Sequence, residues 1–309
     1  MTNRTVRRTT LSIAAVAALT GVAACGSGSG SGGGQGGRGS LPMSPVAALR
    51  AAETSTAKAD SARVESTTSM GTLMSMKADG SLAWGHGLTG TMTITYTGGT
   101  AAETLRKLGN TKTEARYLPE GYYTKMSDQY AGALGGKHWL KYAYADLAKA
   151  AGGSGAYLTD QMQNSTPNQG VRLLLASGDV KKVGEDQVAG QRATHYAGTV
   201  NVADFADKTN HNLSAGQLAS LKKQLGQAGI STETVDIWIN DQNLLVKKTE
   251  KADTTNGAMA TTAVYRDYGV KVSVTAPPAG DTADFAELLK QQGAGADSAS
   301  GSATAPAGS

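Results

Sequence analysis

The sequence predicts an α+β fold built on one large curved antiparallel sheet. Three observations lead there. Apolar residues recur with period two in segment after segment, turn residues separate those segments at hairpin spacing, and few stretches carry the three-and-four spacing of a helix. About ten or eleven strands are expected, most of them in sequential hairpins. The chain runs strand after strand, without the alternation of strand and helix that marks the two α/β lobes of a solute-binding protein.

The elements follow in order. Pro45 to about Asp60 (PVAALRAAETSTAKAD) reads as a helix, with Pro45 near its first turn and alanine-rich content after it. Met70, Met74 and Met76 then fall at even spacing. In Thr91–Thr97, Met92, Ile94 and Tyr96 share one face, and Thr91, Thr93 and Thr95 share the other. Val235, Ile237 and Ile239 repeat the pattern, as do Val270, Val272 and Val274. Each is expected as a half-buried strand with one apolar and one wet face. Turns are expected at Ala78–Ser81, Pro119–Gly121, Glu185–Gln187 and Asp241–Asn243. Three further helices are expected. One opens at Thr166-Pro167-Asn168-Gln169 and runs through Leu175; a second spans Leu213–Gln227, with Ser214 as N-cap and Leu218, Leu221 and Leu225 on one face; the last is Asp281–Lys290, with Asp281 and Asp284 as cap and first-turn charge. Tyr130–Gln163 reads as Gly-rich loop.

The N-terminus fixes where the domain works. Arg4, Arg7 and Arg8 form a positive n-region, Leu11–Leu19 a short apolar h-region, and Val22-Ala23-Ala24-Cys25 the small-residue pattern cleaved before cysteine in lipoproteins. Cys25 is the single cysteine of the chain, which leaves no internal disulfide and gives the thiol a use as the lipidation site. The h-region falls far short of the roughly 20 residues of a spanning helix. Either the general secretory route or the twin-arginine route fits Arg7-Arg8. Residues 1–24 are thus read as signal peptide, 25–40 as lipidated cysteine and Gly/Ser tether, 41–292 as the folded domain, and 293–309 as a disordered tail. Without the three signal-peptide arginines the formal charge falls from +4 to +1, and no basic stripe with interleaved aromatics suggests nucleic acid.

Catalytic chemistry is sparse. His86, His138, His195 and His211 have no partners at metal-ligand spacing, and His195, out of phase with Tyr196, reads as a solvent-face strand residue. There is no G-x-S-x-G, and Cys25 is committed to lipidation. Gly34–Gly39 and Gly85–Gly90 match G-x-G-x-x-G, but the first lies in the tether and the second leads into a strand, so neither offers a helix N-terminus to a pyrophosphate. No metal, cofactor or enzymatic activity is expected. Met70, Met74, Met76 and Met92 on consecutive strand faces suit either core filling or adaptable apolar contacts. A long one-sided sheet with few covering helices would leave an apolar cavity.

Several segments together resemble the LppX/LprG class of lipoproteins. They are the lipobox and tether, the first helix running into Ser61-Ala62-Arg63-Val64, Val235–Asn240 followed by Leu244–Lys248, and Tyr265–Val270 leading to Ala276-Pro277-Pro278. The resemblance spans about Ser44 to Leu289 and lies in order and spacing. It implies a LolA/LolB-like half-barrel, with helices on the concave face of the sheet around an apolar cavity, that binds or carries acylated lipid or glycolipid. The strand faces above, including Val270, Val272 and Val274, would line that cavity. The implied protein is a monomer on the extracytoplasmic face of the cell membrane, anchored through acylated Cys25. An envelope protein is the alternative partner, with the same fold acting as sensor or assembly factor. Phe205 and Phe285 are the only phenylalanines.

Overall fold

The structure, a computed structural model, describes residues 43–150, 166–201 and 229–290, together with the single residues Ala219, Lys223 and Gly226. The signal peptide, Cys25, the tether, Phe205, His211 and the tail lie outside it. So does the helix expected over Leu213–Gln227, apart from those three helical positions.

One curved, unclosed sheet of twelve strands carries the fold. From the centre to one edge run β1 (Ser61–Met70), β2 (Met74–Ala83), β3 (Thr89–Gly98), β4 (Lys112–Leu118), β5 (Gly121–Lys125) and β6 (Trp139–Ala143). From the other edge back to the centre run β7 (Lys181–Val188), β8 (Gln191–Asn201), β9 (Thr232–Asn240), β10 (Leu245–Thr254) and β11 (Gly257–Arg266), and β11 pairs with β1. β12 (Thr282–Asp284) flanks β6 in parallel, where only antiparallel pairing was expected.

Ahead of those isolated helical positions and of a last helix at the C-terminal end of the described residues, the helices are α1 (Pro45–Lys58), α2 (Gly99–Lys107), α3 (Asp128–Ala131), α4 (Tyr144–Ala150) and α5 (Asn168–Ser177). Ser44 caps α1 by accepting from Ala47 N at 3.3 Å, and Pro45 occupies the first turn, where a backbone N–H has no helical partner. The buried positions Ala48, Leu49 and Ala52 pack with Val171, Leu173 and Leu174 of α5 over the concave face of the sheet. Thr56 ties down the end of α1. Leu245 N donates to its Oγ1 at 3.1 Å, and Trp84 Nε1 donates to its carbonyl at 3.3 Å.

Some expected boundaries move. Asp79-Gly80 lies in the middle of β2, and the chain reverses at Gly71–Leu73 instead. A Cβ on Gly80 would stand 2.0 Å from the Thr91 carbonyl oxygen, so this glycine serves a close approach of strands and not a turn. Glu185–Gln187 likewise lie inside β7, and the hairpin turns at Ala189-Gly190, both at positive φ. The turns at Pro119–Gly121 and Asp241–Asn243 stand where expected. The loop expected from Tyr130 to Gln163 contains β6 and α4.

Val270, Val272 and Val274 form no strand. Residues 270–278 run without a ladder, and Arg116 Nη1, on the outer side of β4, donates to the Thr275 carbonyl at 3.2 Å. The segment crosses the outer side of the sheet to bring β12 to the far edge, so these valines do not line the concave face. The final helix begins at residue 285, because 282–284 are drawn into β12. Asp284 caps it, accepting from Ala286 N at 2.9 Å, whereas Asp281 accepts from His138 N at 2.8 Å.

Candidate functional site

Cross-strand register decides which side chains share the concave face. Met70 lies opposite both Met74 and Met259, Met76 opposite Tyr96, Ala78 opposite Ile94, and Gly80 opposite Met92. Followed across β1, β11, β10 and β9, the same face carries Val235, Ile237 and Ile239. Thr91, Thr93 and Thr95 point the other way, opposite Arg116, Glu114 and Lys112. A period-two strand allows no mixture of the two faces.

The concave face has two unlike halves. On β8–β10, α1 and α5 seal it: Val235 and Ile237 are 0% exposed and Ile239 5%. This half is packed core. It also buries three charges on β9 and β10. Lys248 Nζ donates to Glu250 Oε1 at 2.8 Å, and Glu233 faces inward beside them. Gly170 of α5 sits directly above; a Cβ there would lie 3.2 Å from Glu250 Oε1. Burial, reinforced by repulsion from Glu250 and opposed by Lys248, pushes the Glu233 carboxyl up to about 8. Burial alone would depress the Lys248 ammonium, but the adjacent Glu250 carboxylate outweighs it and raises it.

On β2–β6 the face is built from methionine, small residues and tyrosine, and most of its large side chains are only half-buried. Tyr117 stacks toward Tyr122 at 6.0 Å between ring centroids, Tyr122 on Tyr142 at 4.7 Å, and Tyr142 against Phe285 at 4.8 Å. Tyr144, at the start of α4, adds a tilted contact to Tyr122 at 6.3 Å. Offset and tilted rings at these separations attract one another beyond their area burial. Burial pushes the Tyr117 and Tyr142 phenols up to about 12 and raises those of Tyr122 and Tyr144 as well, so all four keep their protons at neutral pH. The Tyr142 hydroxyl lies toward that of Thr124, which offsets part of its rise. The two do not reach hydrogen-bond geometry, and Thr124 Oγ1 is buried with no hydrogen-bond partner.

The ladder is invisible to a count of phenylalanines, because tyrosine, at 11 residues against two, does the aromatic work. Its signal is positional. Tyr117 and Tyr122 flank the Pro119–Gly121 turn at places that must pair, and Tyr142 pairs with Tyr122 on β6.

His195 lies on the outer face as expected, yet it is covered: its ring stacks on Trp238 at 4.2 Å and its Nε2 pairs with Asp236 Oδ1 at 2.7 Å. A shallow polar hollow of about 400 Å³ lies between Lys112, Lys125, Asn110 and Ser127, away from the apolar face. Among the described residues, no three His, Cys, Asp or Glu side chains group to hold a metal, and no helix is long and apolar enough to cross a membrane.

No family model matches the chain. It is 53% identical over 252 residues to a 31.2 kDa uncharacterized protein of Streptomyces griseus, covering 81% of this chain and 82% of that protein. It is 46% identical over 311 residues to "Putative lipoprotein SCO4650" of Streptomyces coelicolor, covering 95% of this chain and 100% of that one. Among solved structures, lipoprotein LppX of Mycobacterium tuberculosis is similar at a TM-score of 0.47 and 15% identity, over 76% of this chain and 100% of that one. LprF of Mycobacterium bovis is similar at a TM-score of 0.45 and 15% identity, over 75% and 96%. The structural neighbours thus include members of the class the sequence resembles, while the fold is read from the sheet itself. Identities of 53% and 46% over four fifths or more of each chain settle descent: the chain belongs to the family of these two streptomycete proteins.

Proposed function

We propose that this protein is a membrane-anchored extracytoplasmic lipoprotein that binds an acylated lipid or glycolipid along the β2–β6 half of its concave face and carries it without a catalytic step. The carrying observation is the contrast between the two halves of one apolar face. One is sealed by α1 and α5, while the other presents half-buried Met76, Ile94, Tyr96 and the tyrosine ladder. Acyl chains suit such a surface, since methionine adapts to irregular apolar partners and tyrosine offers wide flat contact. Exposing about 15 methylenes to water costs on the order of 12 kcal/mol, which a protein groove would largely remove. The streptomycete relative's name supports anchoring, and the Gly/Ser tether would hold the domain within about 20 Å of the bilayer.

A pair of tryptophan variants tests the assignment of halves. Ile94→Trp is expected to displace co-purifying lipid with a melting temperature near wild type. Ile237→Trp overpacks the sealed core and is expected to cost about 1–3 kcal/mol. Lipid lost from Ile237→Trp but retained by Ile94→Trp would reverse the assignment. Anchoring has its own check in Cys25→Ala, which is expected to accumulate as uncleaved precursor without lipid attachment. Normal processing and membrane retention of that variant would remove the lipoprotein assignment.

A further inference from the structure

We infer that the domain docks on the bilayer through one end of its sheet, the end that carries the β1–β2 turn and receives the tether. The inference rests on the anchoring reading and adds an orientation to it. Only Ala59 and Asp60 separate α1 from β1, and α1 packs on the concave face, so the helix runs back antiparallel to β1. Its last turn is held near the start of β1: Trp84 Nε1 donates to the Thr56 carbonyl at 3.3 Å, and Trp84 follows Ala83, which pairs with Ser61. Its first turn therefore lies toward Met70. The 14 residues of α1 rise about 21 Å against about 33 Å for the 10 of β1, which puts Ser44 in the third of the sheet nearest the β1–β2 turn.

Exposed apolar side chains gather at that same end. Of the five exposed large hydrophobic residues among the described residues, Met43 and Val46 stand at the start of α1 and Leu73 in the β1–β2 turn. Val183 lies on the lateral edge strand β7 and Leu289 in the last helix. The backbone of the turn is fixed: Thr100 N donates to the Thr72 carbonyl at 3.1 Å and Ala101 N to the Leu73 carbonyl at 3.0 Å, so α2 holds the turn while the Leu73 side chain stays in solvent. α2 itself exposes Arg106 and Lys107 against one carboxylate, Glu103. A bilayer surface fits this end, because apolar side chains enter the acyl boundary while the cations face lipid phosphates. The anchor supplies the rest. A segment with the composition of Gly26–Ser40 spans about 20 Å, so acylated Cys25 keeps the effective concentration of lipid at this end high, and weak contacts suffice to orient the domain.

The test places full-length acylated protein on vesicles of phosphatidylcholine and phosphatidylglycerol, with an environment-sensitive dye on Leu73→Cys or on Val183→Cys. Acylation occupies the Cys25 thiol, so the introduced cysteine is the single labelling site. The dye at 73 is expected to be quenched by doxyl-labelled lipid at least about twofold more than the dye at 183, since side chains docked at an interface reach roughly 5–10 Å into the headgroup and acyl boundary. Val46→Asp adds a carboxylate in the first turn of α1, where a helix tolerates it, and is expected to reduce the quenching at 73 by about half with an unchanged melting temperature. Equal quenching at 73 and 183, whether strong or absent, overturns the docking orientation, as does quenching at 183 alone. Quenching at 73 that Val46→Asp leaves unchanged overturns the part given to α1. Dye attached to Cys25 of the wild type, with protein that stays off the vesicles, overturns the anchoring reading itself.

Discussion

Gly80→Val is expected to destabilise the domain by about 4 kcal/mol, among the larger costs a single substitution imposes. Gly80 sits on the concave face between Val64 of β1 and Met92 of β3. The clash of any Cβ there is with backbone: 2.0 Å to the Thr91 carbonyl oxygen and 2.9 Å to Met92 Cα. A flexible side chain could turn aside, but these atoms move only if β2 and β3 part. Gly80→Ala should already cost about half as much, because the first carbon makes the clash. Gly184 of β7 supplies the control, since a Cβ there would meet nothing within 4 Å. Gly184→Ala should unfold at nearly the wild-type denaturant concentration. Equal midpoints for the alanine variants at 80 and 184 would mean that β2 and β3 are not this close.

The second large effect is a pH dependence. Glu233 holds its proton up to about pH 8 in the folded domain, whereas its unfolded value is 4.5. Between those values the folded state binds the proton and the unfolded state does not, so the contribution of this group to stability falls as pH rises and is gone above about 8. Coupling to Glu250 and Lys248 spreads the effect over the three groups. A loss of a few kcal/mol across the window is expected. Glu233→Gln removes the titration while keeping the shape. It should match wild type near pH 5 and exceed it near pH 8, and parallel stability curves for the two proteins would show that Glu233 titrates normally.

Much of the sheet was legible because period-two patterns leave one solution. Met92, Ile94 and Tyr96 had to share a face, and cross-strand pairing then carried that face to Ile237 on β9. Local signals failed where tertiary contact overrode them. Asp79-Gly80 has turn chemistry, but its glycine answers a steric demand from β3 that only the paired strand reveals. Ala189-Gly190 turns the β7–β8 hairpin with alanine at positive φ, a position where Asn or Gly would have announced it. The Val270–Val274 alternation is real as a burial pattern, yet the segment must travel from the centre of the sheet to its far edge, so it lies across the strands instead of among them. The candidate strip was half legible. Its methionines stood out in sequence, while the ladder of Tyr117, Tyr122 and Tyr142 exists only once three strands are in register.

The central claim is that the β2–β6 half of the concave face holds a lipid. Its most direct test is organic extraction and mass spectrometry of the full-length protein purified from its native membrane, with Ile94→Trp prepared in parallel. About one non-covalently bound acylated lipid per wild-type chain, enriched over bulk membrane lipid and lost from Ile94→Trp, is the expected result. Wild-type protein yielding no lipid beyond the chains attached to Cys25, or an equal yield from the two proteins, would contradict the account.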